Sequence, residues 1–126
     1  MSARILIVED NPVNLKLASE LLEMEGYAVE RAVDAERAQE LLRAAVPDLI
    51  LMDIALPGMD GLALTRRLKS DDRLKHVPVV AMTAFAMKGD EGKALAAGCD
   101  GYITKPIDTR RLPEQVAAFL RRSAPQ

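Results

Sequence analysis

A single cysteine and a single histidine stand among the 126 residues. Cys99 therefore has no partner for an internal disulfide and no neighbouring ligands for a metal site, and it reads as a small buried residue. His76 sits beside Pro78 in the loop before a predicted strand and reads as an exposed loop residue. Charge of either sign is not in excess. With 17 Lys and Arg against 19 Asp and Glu, the net charge of −2 leaves no footprint for nucleic acid or an anionic membrane. No apolar run approaches a membrane span, and residues 1–4 lead into the first strand without a signal-peptide pattern. Elimination points to the cytoplasm. Repeats, linkers and low-complexity tracts are missing too, so residues 1–126 are expected to form one domain with no output domain attached. No GxxxxGK[ST] loop occurs, which excludes a P-loop nucleotide enzyme.

What is present is alternation. Four apolar runs read as strands: RILIVE (4–9), DLILM (48–52), VPVVAMT (77–83) and GYITK (101–105), with a weaker one in YAVERA (27–32). Helical spacing fills the gaps. The first helix takes Asn11 as cap, Pro12 as first residue and Gly26 as stop, and the second starts from Asp34. A third follows Gly61. The fourth, near 88–97, is poor because Gly89 and Gly92 fall inside it. The last spans about 110–122 and must begin late, because Pro113 fits only a first turn. Five strand–helix units imply an α/β fold, a doubly wound parallel sheet of flavodoxin-like type with strand order 2-1-3-4-5. The ligand crevice then lies beyond the carboxyl ends of the strands.

That edge collects chemistry. The first strand ends in Glu9 and Asp10, the third in Asp53, the fourth in Thr83 and the fifth in Lys105. Singly, each has an ordinary explanation as a helix cap, a strand end or a solvated lysine. Together, three carboxylates at one edge repel one another unless a cation or protons intervene. Hard oxygen ligands with room for water suit Mg²⁺, and a hydroxyl and an ammonium beside the metal suit a phosphoryl group.

The segments ILIVEDNPVNLKL, PDLILMDIALPGMDGL, VPVVAMTAFAMKGDE and GYITKPI carry a family resemblance. Over essentially its whole length the chain resembles the CheY-like receiver domain of two-component response regulators, and within that family the DivK type of stand-alone receiver. The resemblance implies that Asp53 accepts a phosphoryl group, with Thr83 and Lys105 acting on it. It implies Mg²⁺ (or Mn²⁺) held by Glu9, Asp10, Asp53 and the backbone carbonyl of Ala55. It makes Thr83 and Tyr102 the switch pair, with Pro106 after a cis peptide, and puts Asn14, Pro57, Phe85, Pro106 and Ile107 on a partner surface.

The implied partners are a sensor histidine kinase or histidine phosphotransfer protein, which supplies the donor histidine, and a downstream protein target. Neither nucleic acid nor membrane is an expected partner, and the chain is expected to be a monomer, with dimerisation left open. The output face would be the fourth helix, fifth strand and fifth helix, reaching cell-cycle or developmental kinases. The chain would act as a phosphoacceptor, assisting only its own phosphorylation and dephosphorylation, rather than as an enzyme. Two other readings stay open: a receiver-fold module that binds partners unphosphorylated, and the excised receiver of a hybrid histidine kinase. A haloacid-dehalogenase-type phosphatase would want its nucleophile on the first strand, which here ends VEDNP. A flavin mononucleotide carrier would want a glycine- and hydroxyl-rich loop there.

Overall fold

The computed structural model describes residues 3–54, 61–83, 90–105 and 107–123. Strands and helices alternate as β1 (Arg4–Val8), α1 (Pro12–Met24), β2 (Ala28–Ala32), α2 (Ala35–Ala44), β3 (Leu49–Asp53), α3 (Gly61–Lys69), β4 (Val79–Thr83), α4 (Asp90–Ala97), β5 (Gly101–Thr104) and α5 (Arg111–Ser123). All strand pairs are parallel, and the sheet order is β2-β1-β3-β4-β5, as the alternation predicts. The continuously apolar β1, β3 and β4 occupy the centre, because a strand covered by helices on both faces can expose no polar side. The half-polar β2 lies at an edge.

The strand period of two divides the core into two layers. Leu6, Val8, Ile50, Met52, Val79 and Ala81 face α2, α3 and α4, while Ile5, Ile7, Leu49, Leu51, Val80, Met82 and Ile103 face α1 and α5. Helix starts follow their capping residues. Asn11 Oδ1 accepts from the amides of Val13 and Asn14, at 2.9 and 3.2 Å, and Asp34 Oδ1 accepts from Arg37 N at 2.8 Å. Gly26, with φ of +93°, ends α1 by letting Tyr27 N reach back to Leu22 O at 3.2 Å.

Strand boundaries differ from those expected by one or two residues. β1 stops at Val8 rather than Glu9, and β5 at Thr104 rather than Lys105. β4 begins at Val79 rather than Val77, because Val77 N is taken by Leu74 O in a turn and Pro78 has no N–H to give. β3 runs from Leu49 to Asp53 instead of 48–52, so the aspartate belongs to the strand itself. Within the described residues α4 begins at Asp90; Gly89 lies outside them. Pro113 is the third residue of α5, as the late start requires. Asp108, whose Oδ1 accepts from Arg110 N at 3.0 Å and Arg111 N at 3.2 Å, supplies the missing start signal.

Candidate functional site

Alternation along the strands decides which side chains can meet at the carboxyl edge. Glu9 continues the parity of Ile5 and Ile7, Asp53 that of Leu49 and Leu51, and Lys105 that of Ile103. All three therefore leave the sheet on the α1/α5 side. Lys105 Nζ stands 2.7 Å from Glu9 Oε2 and 3.4 Å from Asp53 Oδ2. Glu9 is 1% exposed and Asp53 4%, whereas Asp10 is open to solvent. One carboxylate oxygen from each of Glu9, Asp10 and Asp53 falls in a group spanning no more than 4.8 Å. The three acids and the lysine that the sequence selects are thus brought together.

Glu9 is held from two sides. Its Oε1 accepts from Asn11 N at 3.2 Å, so the residue that starts α1 also fixes the acid before it. Its Oε2 has only the ion pair with Lys105 and, alone among the buried side-chain oxygens described, lacks a directed hydrogen bond. A buried oxygen in that condition can still accept a strong donor or face a cation. The donor set of three hard carboxylates, one exposed, fits Mg²⁺ with several retained waters.

Burial pushes the Glu9 carboxyl above its ordinary range; the Lys105 ammonium pulls it back, and the Asp53 charge adds to the rise. Burial works against the Lys105 ammonium, but Glu9 and Asp53 more than offset this and raise its pKa. The sign for stability follows. Folded Glu9 binds its proton more tightly than unfolded Glu9, so its contribution is present at acid pH and is lost as pH rises beyond about 4.3. Lys105 stays charged throughout that window. Without metal, the thermal midpoint of Glu9→Gln should fall less between pH 4.5 and 7 than that of the wild type. Parallel slopes in calorimetry with a chelator present would show that Glu9 is not the source.

The other predicted positions divide. The Thr83 backbone pairs in register with Thr104 at the end of β4, on the same edge. Tyr102 is 37% exposed on β5, and Asn14 is half-buried in the first turn of α1. Ala55, Pro57, Phe85 and Pro106 lie outside the described residues. Ile107 departs from the partner surface expected of it. It is 9% exposed and packs with Leu112 and Val116 in the α1/α5 layer, because the chain turns inward there to start α5.

Sequence reasoning missed two features. Pro12, Val13, Lys16, Leu17 and Glu20 line a mainly apolar groove on α1, with Val13 72% exposed. The out-of-pattern valine in ILIVEDNPVNLKL was the available signal. The second is Gly61, whose amide donates to Ile54 O at 3.3 Å just past Asp53. That contact joins two residues at no strand or helix spacing and leaves no periodic trace.

Comparison with known proteins agrees with this geometry. Residues 5–117 match the response regulator receiver domain family. The chain is 48% identical over 120 residues to the polar-differentiation response regulator DivK of Brucella anthropi, covering 95% of this chain and 98% of that one. It superposes on a putative response regulator from Chloroflexus aurantiacus with a TM-score of 0.92 at 28% identity, covering 96% and 99% of the two chains. The signal receiver domain of a signal transduction histidine kinase from Syntrophus aciditrophicus gives 0.83 at 34%, covering 97% and 89%. Members of this family are phosphoacceptors that typically bind Mg²⁺, and their partners are kinases or phosphotransfer proteins. No described helix is long and apolar enough to cross a membrane. With the family model matching most of its length and a relative 48% identical to it, the chain belongs to the response regulator receiver domain family.

Proposed function

We propose that the chain is a single-domain phosphorelay switch in which Asp53 takes a phosphoryl group from a phosphohistidine of a histidine kinase or phosphotransfer protein. The observation that carries this is Asp53 itself. It is an almost fully buried carboxylate at the open end of the central strand, with two acids and one ammonium gathered around it. An Asp53 oxygen forms the new P–O bond as the P–N bond of the donor breaks, and the imidazole keeps the electron pair and takes a proton from water. Mg²⁺, held by Glu9, Asp10, Asp53 and the Ala55 carbonyl, would supply charge neutralisation at the phosphoryl oxygens. Lys105 would pair with the same group once Asp53 beside it has become an acyl phosphate, and Thr83 would bind one of its oxygens.

The signal then leaves by protein contact. Thr83 moving toward the phosphoryl group vacates space, and Tyr102 turns into it, altering the α4–β5–α5 face where Leu95 is also exposed. The donor would approach over Asn14 and the apolar groove of α1. Likeness to DivK along 98% of that protein supports a phosphorelay role, and its name as a polar-differentiation response regulator supports control of cell-cycle or developmental kinases. The chain would assist only its own phosphorylation and dephosphorylation.

The test is labelling by a small phosphodonor in Mg²⁺ and by a phosphorylated kinase. Wild type should take up one alkali-labile phosphoryl group and Asp53→Asn none. Absence of label with both donors would leave the unphosphorylated interaction module as the better reading.

A further inference from the structure

The carboxyl end of β3 is packed against the first residue of α3 with no room for a side chain. A Cβ built on Gly61 would overlap the carbonyl oxygen of Asp53 and stand 2.7 Å from Ile54 Cα and 2.9 Å from the Asp53 carbonyl carbon. All three are backbone atoms, so no rotamer change relieves the overlap. Retreat is blocked on the other side. Leu64, Thr65 and Leu68 seat α3 in the core, and Thr65 Oγ1 donates to Gly61 O at 2.7 Å, tying the helix's first residue to its second turn. Cys99 Sγ lies 3.8 Å from the same hydroxyl, holding it from the direction of α4.

The β3 end is the weaker partner in this contact. The β1 ladder ends with Val8 opposite Met52 and the β4 ladder with Met82 opposite Asp53, so the sheet pairing of β3 runs out at this point, where Ile54 N donates to Met82 O at 3.3 Å. A strand end has fewer holds than a helix seated by Leu64, Thr65 and Leu68, so an added methyl group shifts Asp53 rather than α3.

We propose that Gly61, braced by Thr65, is a positioning residue: the backbone-to-backbone seat it permits sets where the Asp53 carboxylate stands against Glu9, Asp10 and Lys105. The proposal rests on the phosphoacceptor reading for its functional consequence. Lys105 Nζ is 3.4 Å from Asp53 Oδ2, so displacement of the strand end by about 1 Å alters every distance in the cluster. Misplacement on that scale costs reacting groups up to about a hundredfold in rate.

The experiment compares Gly61→Ala with Gly92→Ala, since a Cβ at Gly92 meets nothing within 4 Å. With a small phosphodonor and saturating Mg²⁺, Gly61→Ala should lose about tenfold or more in maximal labelling rate, with donor KM within about twofold. Its Mg²⁺ affinity should drop, and the metal-free amide resonances of Asp53 and Ile54 should move. Gly92→Ala should match the wild type in all three. A folded Gly61→Ala protein with wild-type rate, affinity and resonances overturns the proposal, as does an equal loss in Gly92→Ala. If Gly61→Ala does not fold, Thr65→Val decides. It removes the brace at nearly constant volume and should slow labelling severalfold, with Thr65→Ser restoring the rate; a wild-type rate in Thr65→Val overturns the proposal. Failure of wild type to label at Asp53 would instead sink the phosphoacceptor reading, leaving affinity and resonances to judge Gly61.

Discussion

Replacing Lys105 by methionine should slow phosphotransfer to Asp53 by about a hundredfold or more, yet tighten Mg²⁺ by about tenfold. The two effects have opposite signs because one ammonium serves two states. Before transfer it stands 2.7 Å from Glu9 and 3.4 Å from Asp53, where its charge opposes a second cation at the same carboxylates. During transfer, negative charge spreads over the phosphoryl oxygens, and the ammonium is already placed to meet it. Lys105 is only 13% exposed on its side chain, so its charge is weakly screened. Removing it from the metal-free protein leaves Glu9 and Asp53 buried without their shared cation. The expected cost is about 1–3 kcal/mol, below that of a fully buried pair because the cluster opens to solvent at Asp10. Mg²⁺ should restore most of this. Calorimetric titration, thermal melts with and without metal, and labelling kinetics read the three effects. Weaker Mg²⁺ binding together with slower transfer would show that Lys105 builds the carboxylate cluster instead of opposing its charge.

Most of this site was legible in the sequence because it is made at strand ends. Period-two alternation and the order of the strands bring Glu9, Asp53 and Lys105 to one edge before any distance is known. Asn11, Asp34 and Gly26 were legible for a similar reason, since each acts on backbone groups within a few residues of itself. Contacts between segments distant in sequence left no such trace. Lys69 Nζ reaches Val77 O and Asp100 Oδ2, both at 2.9 Å, while Asp100 Oδ2 also accepts from Val79 N at 2.8 Å. This knot fixes the start of β4 against β5, and nothing in the spacing of residues 69, 79 and 100 announces it.

Ile107 was misplaced because a residue next to a site is not thereby exposed. Asp108 redirects the chain into α5, and the isoleucine before it is carried into the α1/α5 layer. Gly61 escaped because a glycine at the start of a helix has an ordinary explanation, whereas its seat against Asp53 is a property of two backbones. Electrostatics was legible in sign only. Three acids at one edge had to need a cation, but that Glu9 is the deeply buried one, and Asp10 the open one, depends on which side of the sheet each leaves.

That difference in burial supports the opposite experiment, Asp10→Asn. Asp10 contributes a carboxylate oxygen to the 4.8 Å group but, unlike Glu9 and Asp53, has no ion pair with Lys105 in the metal-free protein. Among the described residues its charge there meets the like charges of Glu9 and Asp53 and the single cation Lys105, so its removal relieves repulsion and should raise the metal-free thermal midpoint. The same removal takes an anionic ligand from a cation that dehydrates reluctantly, so Mg²⁺ affinity should fall by about tenfold or more. Asparagine keeps the shape and one oxygen, which separates charge from volume. Lys105→Met and Asp10→Asn should therefore be mirror images: one destabilises the metal-free chain and binds metal more tightly, the other stabilises it and binds metal more weakly. The double variant should return Mg²⁺ affinity to within a fewfold of the wild type while labelling stays as slow as in Lys105→Met, since charge balance at the carboxylates is restored but no cation faces the transferred group. Melts and titrations in which Asp10→Asn neither stabilises the metal-free chain nor weakens Mg²⁺ would remove Asp10 from the metal site.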